Sequence, residues 1–130
     1  MNDLHRLLLV CLGSALGGGA RYLVATRLPL LLGTAFPFAT LTVNVTGSFL
    51  IALILEVGTL STPISPEFRL FLTTGILGGF TTYSTFNYET LQAFTTGSAI
   101  TGLLYLAVTV VGCLAAGVLG LAAGRLVFPT

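Results

Sequence analysis

An all-α membrane protein, built from four transmembrane helices with a break in the third, is the fold this sequence predicts. Three observations lead there. Only 7% of the 130 residues are charged and 55% are hydrophobic, whereas a soluble domain of this size carries roughly 25% charge. Four stretches reach the ~20 mostly apolar residues that cross a bilayer. Inside the third lies "GGFTTYSTFNYET", Gly78 to Thr90, a run of glycine, hydroxyl and aromatic residues that an uninterrupted apolar helix does not favour.

The first segment is expected over residues 4–28, ending before Pro29 because the residue ahead of a proline is disfavoured in helical geometry. Its Arg6 and the apolar run that follows resemble a signal peptide. Arg21 and Tyr22 stand where cleavage would fall, however, so the segment is read as a retained helix. The second is expected over 38–57, after Pro37. The third spans 67–94, with Pro66 at its first turn and a break near 75–81. The fourth spans 99–127, ahead of Pro129. "TLSTPISP", Thr59 to Pro66, is a loop, and the short "TTGS" link makes the third and fourth segments antiparallel neighbours. One domain, residues 1–130, accounts for the whole chain.

Charge excludes several functions. With five Arg, no Lys and a net charge of +1 there is no basic tract for nucleic acid, and nothing implies a soluble partner. Cys11 and Cys113 sit in apolar stretches, spaced for neither a zinc site nor a redox pair. The lone His5 is remote from the membrane carboxylates, and no nucleophile–base pair is visible, so the chain is not read as an enzyme. Arg6, Arg69 and Arg125 fall on one side of the membrane, and Arg27, with Arg21 if it reaches the interface, on the other. So weak a bias permits insertion in both orientations, and with it an antiparallel homodimer.

Small residues mark helix contacts: Gly13 and Gly17 on the first segment, and Gly112, Ala116, Gly120 and Gly124 on the fourth. Polar residues in hydrocarbon need partners or water. Thr40, Asn44 and Ser48 lie four apart on one face of the second segment. The two hydroxyls can bond back to their own helix, but the Asn44 amide either joins two helices or serves a solute. Thr101, Tyr105, Thr109 and Cys113 form a second stripe, on the fourth segment. Arg21 either reaches the headgroups or draws anions to a pore mouth, and Glu56 and Glu67 are expected at the interfaces.

Gly75, Gly78 and Gly79, interleaved with Thr74, Thr81, Thr82 and Thr85, are poor helix formers and place the break at mid-membrane. Backbone groups freed there must be buried or bound. Freed carbonyls suit a cation, and a half-helix N-terminus favours an anion. Tyr83, Phe86 and Glu89 recur every three residues on the helix that follows. Amide and hydroxyl donors, together with electropositive ring edges, suit a small anion that needs its water replaced but must not be trapped by a fixed charge.

These motifs resemble the Fluc (CrcB) family of small bacterial fluoride channels over essentially the whole chain. "GGGARY" (Gly17 to Tyr22) is similar to the family's first-helix arginine motif, and "TLTVNVTGSF" (Thr40 to Phe49) to its Asn-x-x-Gly motif. "GGFTTYSTFNYE" (Gly78 to Glu89) is similar to its central Gly-Gly-x-Thr-Thr-Phe-Ser-Thr-Phe signature. The resemblance implies an antiparallel, dual-topology homodimer in the bacterial cytoplasmic (inner) membrane. It also implies two fluoride pores and passive export of the ion, which would protect against fluoride toxicity. By motif it makes Asn44, Tyr83, Phe86, Tyr105, Thr109, Ser84 and Thr85 the pore residues, and Arg21 the vestibule arginine. A structural Na⁺ on the dimer axis falls to the backbone carbonyls of Gly78 and Thr81. Glu89 resembles the acid that ends the signature. Two departures stand out: Tyr83 replaces the usual Phe and adds a hydroxyl, and Cys113 replaces a frequent hydroxyl residue one turn past Thr109. The alternatives are a small multidrug-type proton-coupled exporter, which needs a carboxylate within the first helix where only the terminal Asp3 is present, and a non-conducting structural subunit.

Overall fold

A computed structural model describes residues 2–60 and 64–127. Residues 61–63 of the expected loop, and Pro129, the expected stop after the fourth segment, lie outside the described residues. The described residues are helical throughout their regular structure and contain no strand. Helix α1 covers Asp3–Leu32 and α2 covers Phe38–Leu60. The third segment is composite: α3 (Pro66–Leu70), a π-helical stretch Phe71–Leu77, a single turn α4 (Gly78–Phe80), then α5 (Tyr83–Thr96). The last helix, α6, covers Ala99–Val127.

Local chemistry sets the ends. Asn2 caps α1 by accepting the His5 N–H at 3.1 Å, and Ser65 caps α3 by accepting from Phe68 at 3.2 Å, with Pro66 following it. Helix α1 runs through Pro29 to Leu32 rather than stopping at residue 28. Proline removes only the donor that would reach the exposed Ala25, and one turn further on Gly33 ends the helix. Gly33 adopts φ 82° and donates to the Pro29 carbonyl at 2.9 Å, a left-handed conformation open to glycine at little cost.

Helix α2 packs along α6, while α1 lies against the π-helical stretch and α4. Both contacts use missing side chains. A Cβ at Gly13 would sit 2.7 Å from the Gly75 Cα, one at Gly79 would sit 2.5 Å from the Ser14 carbonyl oxygen, and one at Gly17 would collide with the Ile76 carbonyl. On α6, Gly120 faces the Phe49 carbonyl and Gly124 faces the Glu56 side chain. Backbones thus approach closely, the usual means of helix association where lipid and protein are equally apolar. Arg125 Nε donates to Glu56 Oε1 at 2.7 Å and ties the far ends of α2 and α6.

The core is thin: Val43, Leu77, Phe86, Tyr105 and Ala116 are its buried hydrophobic residues. Leu30, Leu31 and Leu126 are each about four-fifths exposed, and only 11–17% of the apolar windows of α1, α2 and α6 is buried. These three helices are long and apolar enough to cross a membrane. Such exposure has hydrocarbon as its natural solvent, and the chain is a multi-pass membrane protein.

Candidate functional site

The site grows from the interruption between α4 and α5. Thr81 (φ −81°, ψ 158°) and Thr82 (φ −151°, ψ 113°) are extended. In hydrocarbon their peptide groups need partners, and Asn44 on α2 supplies two. The Thr82 N–H donates to Asn44 Oδ1 at 2.8 Å, and Asn44 Nδ2 donates to the Thr82 carbonyl at 3.0 Å. An amide carries two N–H donors and one carbonyl, so one Asn44 N–H remains. The Thr82 hydroxyl caps α5 by accepting from the Thr85 N–H at 3.3 Å, and itself donates to the Thr85 hydroxyl at 3.0 Å.

Three cavities lie in succession around this point. The first, about 470 Å³, is lined by Asn44, Gly78, Thr81, Thr82, Tyr83, Phe86, Thr109 and Cys113 among others, with no charged side chain in its wall. The second, about 380 Å³, has Arg21, Tyr22, Thr40, Thr82 and Thr85 in its wall. The third, about 410 Å³, has Thr40, Thr85, Glu89 and Gln92. Thr82 is common to the first pair, and Thr40 and Thr85 to the second pair.

Around the first cavity, Phe86 is buried and Tyr83 is 77% exposed, their ring centroids 5.8 Å apart and edge-on. Phe86 also meets Tyr105 edge-on at 5.2 Å. The Thr109 hydroxyl is buried and has no hydrogen-bond partner among the described residues. Leaving such a group unpaired costs about 1–3 kcal/mol.

The structure therefore gathers Asn44, Tyr83, Phe86 and Thr109 at one cavity, with Gly78 and Thr81 beside them, and puts Arg21 and Thr85 at the next. Tyr105 and Ser84 are not in the walls of these three cavities. Ser84 is exposed, with its hydroxyl 3.4 Å from that of Thr82. Tyr105 is fully buried, and its hydroxyl donates to Glu89 Oε2 at 2.7 Å. Thr40 donates to Glu89 Oε1 at 3.0 Å.

This Thr40–Glu89–Tyr105 cluster, which joins α2, α5 and α6, is not evident from the motifs. Ser48 does bond back to its own helix, at Asn44 O, but Thr40 crosses to another. The available signal is the requirement that an intramembrane carboxylate find donors. Tyr105→Phe is expected to strip Glu89 of one of its two donors and destabilise the protein by about 2 kcal/mol. The measurement is thermal unfolding in detergent. An unchanged melting temperature would show that this bond contributes nothing.

Similarity to known proteins agrees with the motifs. A family model described as CrcB-like protein, Camphor Resistance (CrcB), matches residues 8–121. A protein of Anaeromyxobacter dehalogenans is 54% identical over 111 residues, 85% of this chain and 88% of the relative. One of Chlorobaculum tepidum is 50% identical over 112 residues, 86% and 88%. One of Sorangium cellulosum is 45% identical over 122 residues, 94% and 96%. Each of the three bears the name fluoride-specific ion channel FluC.

Proposed function

The chain belongs to the CrcB-like family, and on that premise we propose that it is a fluoride-specific ion channel of the bacterial cytoplasmic membrane. Fluoride is small and strongly hydrated, so a pathway must offer donors in place of water and yet bind weakly enough to release the ion. The first cavity answers both needs. Its wall carries no full charge, and its donors are the spare Asn44 N–H, the Thr109 hydroxyl and the ring edges of Tyr83 and Phe86.

The observation that carries the proposal is the buried Thr109 hydroxyl, unpartnered among the described residues, which a small acceptor would satisfy. Arg21 raises the local anion concentration at the neighbouring cavity. Thr82 and Thr85 then connect that cavity with its neighbours. Tyr105 acts at one remove, holding Phe86 edge-on and Glu89 in place. The negative-inside potential drives the anion outward, by about 2.3 kcal/mol per 100 mV, and so empties a cell into which HF has diffused and ionised.

The exporter reading finds no support, because the relatives are named as channels. In this chain Asp3 stands exposed at the very start of α1, and Glu89 is held by two hydroxyls.

The working form in this proposal is an antiparallel dual-topology homodimer. Its support is the weak arginine bias and the 77% exposure of Tyr83, a ring that a second copy would cover. The carbonyls of Gly78 and Thr81 fit a Na⁺ ion, because the N–H groups of Thr82 and Thr85, which a continuous helix would direct to them, are taken elsewhere. Bound there, Na⁺ would neutralise the freed carbonyl dipoles and hold the two copies together.

Reconstituted into liposomes with a K⁺ gradient and valinomycin, the protein is expected to release fluoride far faster than chloride. Absence of fluoride efflux, or chloride efflux at the same rate, would falsify the proposal.

A further inference from the structure

The glycines around the break are permissive, but their special backbone freedom is not used there. Gly78 sits at φ −63°, ψ −37°, ordinary right-handed helix. Thr81 and Thr82 are extended, a conformation open to every residue. Among the described residues the only positive φ is that of Gly33. A Cβ at Gly78 would meet only the Thr73 carbonyl oxygen, at 3.8 Å. Something other than glycine conformation must hold the chain open.

The hydrogen bonds show what does. Thr81 still pairs helically, its N–H reaching the Leu77 carbonyl at 3.0 Å and its hydroxyl donating to the same oxygen at 2.9 Å. The pattern fails at the next residue. The Thr82 N–H turns from the Gly78 carbonyl to Asn44 Oδ1, and the Thr85 N–H turns from the Thr81 carbonyl to the Thr82 hydroxyl. Thr82 is only 7% exposed, so water is a poor substitute for either partner.

We infer that Asn44, acting with the Thr82 hydroxyl, is a positioning residue for the break: the two side chains divert the N–H groups that would otherwise close on the Gly78 and Thr81 carbonyls, and so leave those carbonyls free for a monovalent cation. The inference rests on the Na⁺ reading above and gives Asn44 two tasks. Its carbonyl and one N–H hold the backbone, and its other N–H is left for the anion at the cavity that Asn44 lines. Cation and anion sites are thereby linked through one amide.

The test is thermal unfolding of the full-length protein in detergent, titrated with NaCl against N-methylglucamine chloride. Wild type is expected to melt higher as Na⁺ rises. Asn44→Leu is expected to weaken the apparent Na⁺ affinity about tenfold, the equivalent of one lost ligand contact. Thr82→Val acts at the other carbonyl and is expected to weaken it similarly, while Thr82→Ser restores it. Variants that fold and keep the wild-type Na⁺ titration would overturn the inference. If Asn44→Leu does not fold, the Thr82→Val and Thr82→Ser pair decides the matter. A wild type with no Na⁺ response would remove the cation site itself, and this inference with it. Fluoride flux is measured separately and stands or falls independently.

Discussion

Gly17→Val is expected to prevent α1 from seating on the third segment and to destabilise the protein by at least about 3 kcal/mol. The added Cβ would enter the space of the Ile76 carbonyl, with the Ile76 carbonyl carbon at 2.8 Å and the Phe80 nitrogen at 2.9 Å. These are backbone atoms of the π-helical stretch and of α4, so no side-chain rotation relieves the collision. The same displacement would carry Phe80 and the break with it. The readouts are the yield of folded protein by size-exclusion chromatography and the melting temperature in detergent. Gly19→Ala serves as the control, since nothing lies within 4 Å of its added Cβ. It is expected to be neutral, or to stabilise by up to about 1 kcal/mol through better helix propensity. Equal behaviour of the two variants would mean that α1 does not make this backbone contact.

Thr109→Val is expected to separate stability from conduction. Valine matches threonine in shape and removes a buried hydroxyl that has no partner among the described residues. Folding should therefore lose nothing, and could gain up to about 1 kcal/mol. Fluoride efflux should fall about tenfold, because the pathway loses one donor. Most buried threonines would behave in the opposite way. Thr90, equally buried, donates to the Phe86 carbonyl at 2.7 Å, a bond internal to its helix, and its replacement by valine should leave flux alone. Full flux in Thr109→Val liposomes would take that hydroxyl out of the ion path.

Tyr83, like its neighbours on α5, is placed by its own helix. The motif places it with Phe86, and the structure puts both rings at one cavity, edge-on. Its hydroxyl has no counterpart in the family signature, and its 77% exposure places it outside the packed core of the chain. Cys113 likewise shares the first cavity with Thr109, four residues away on the same helix face, whereas Tyr105, one turn the other way, is not in its wall. Where the spacing and the structure agree, the information was local to one helix.

What the sequence by itself determined is the solvent and the three long apolar helices. Composition excludes water as the surrounding of so apolar a chain, and the lengths of the apolar runs follow from bilayer thickness. The stripes of small residues mark the close contacts because only their absent side chains let backbones meet. The ordered motifs name the family. Tertiary structure alone decided who pairs with whom. Asn44 was legible as a polar group in need of partners, but not as the bracket on Thr82, since that bond joins residues 38 apart in the chain. Thr40 and Tyr105 converge on Glu89 from two other helices, a meeting that no spacing within a single helix encodes. The physical reason is common to these cases. A membrane obliges every polar group to find a partner, and the sequence shows that obligation at each position, but which partner satisfies it is set only when the helices pack.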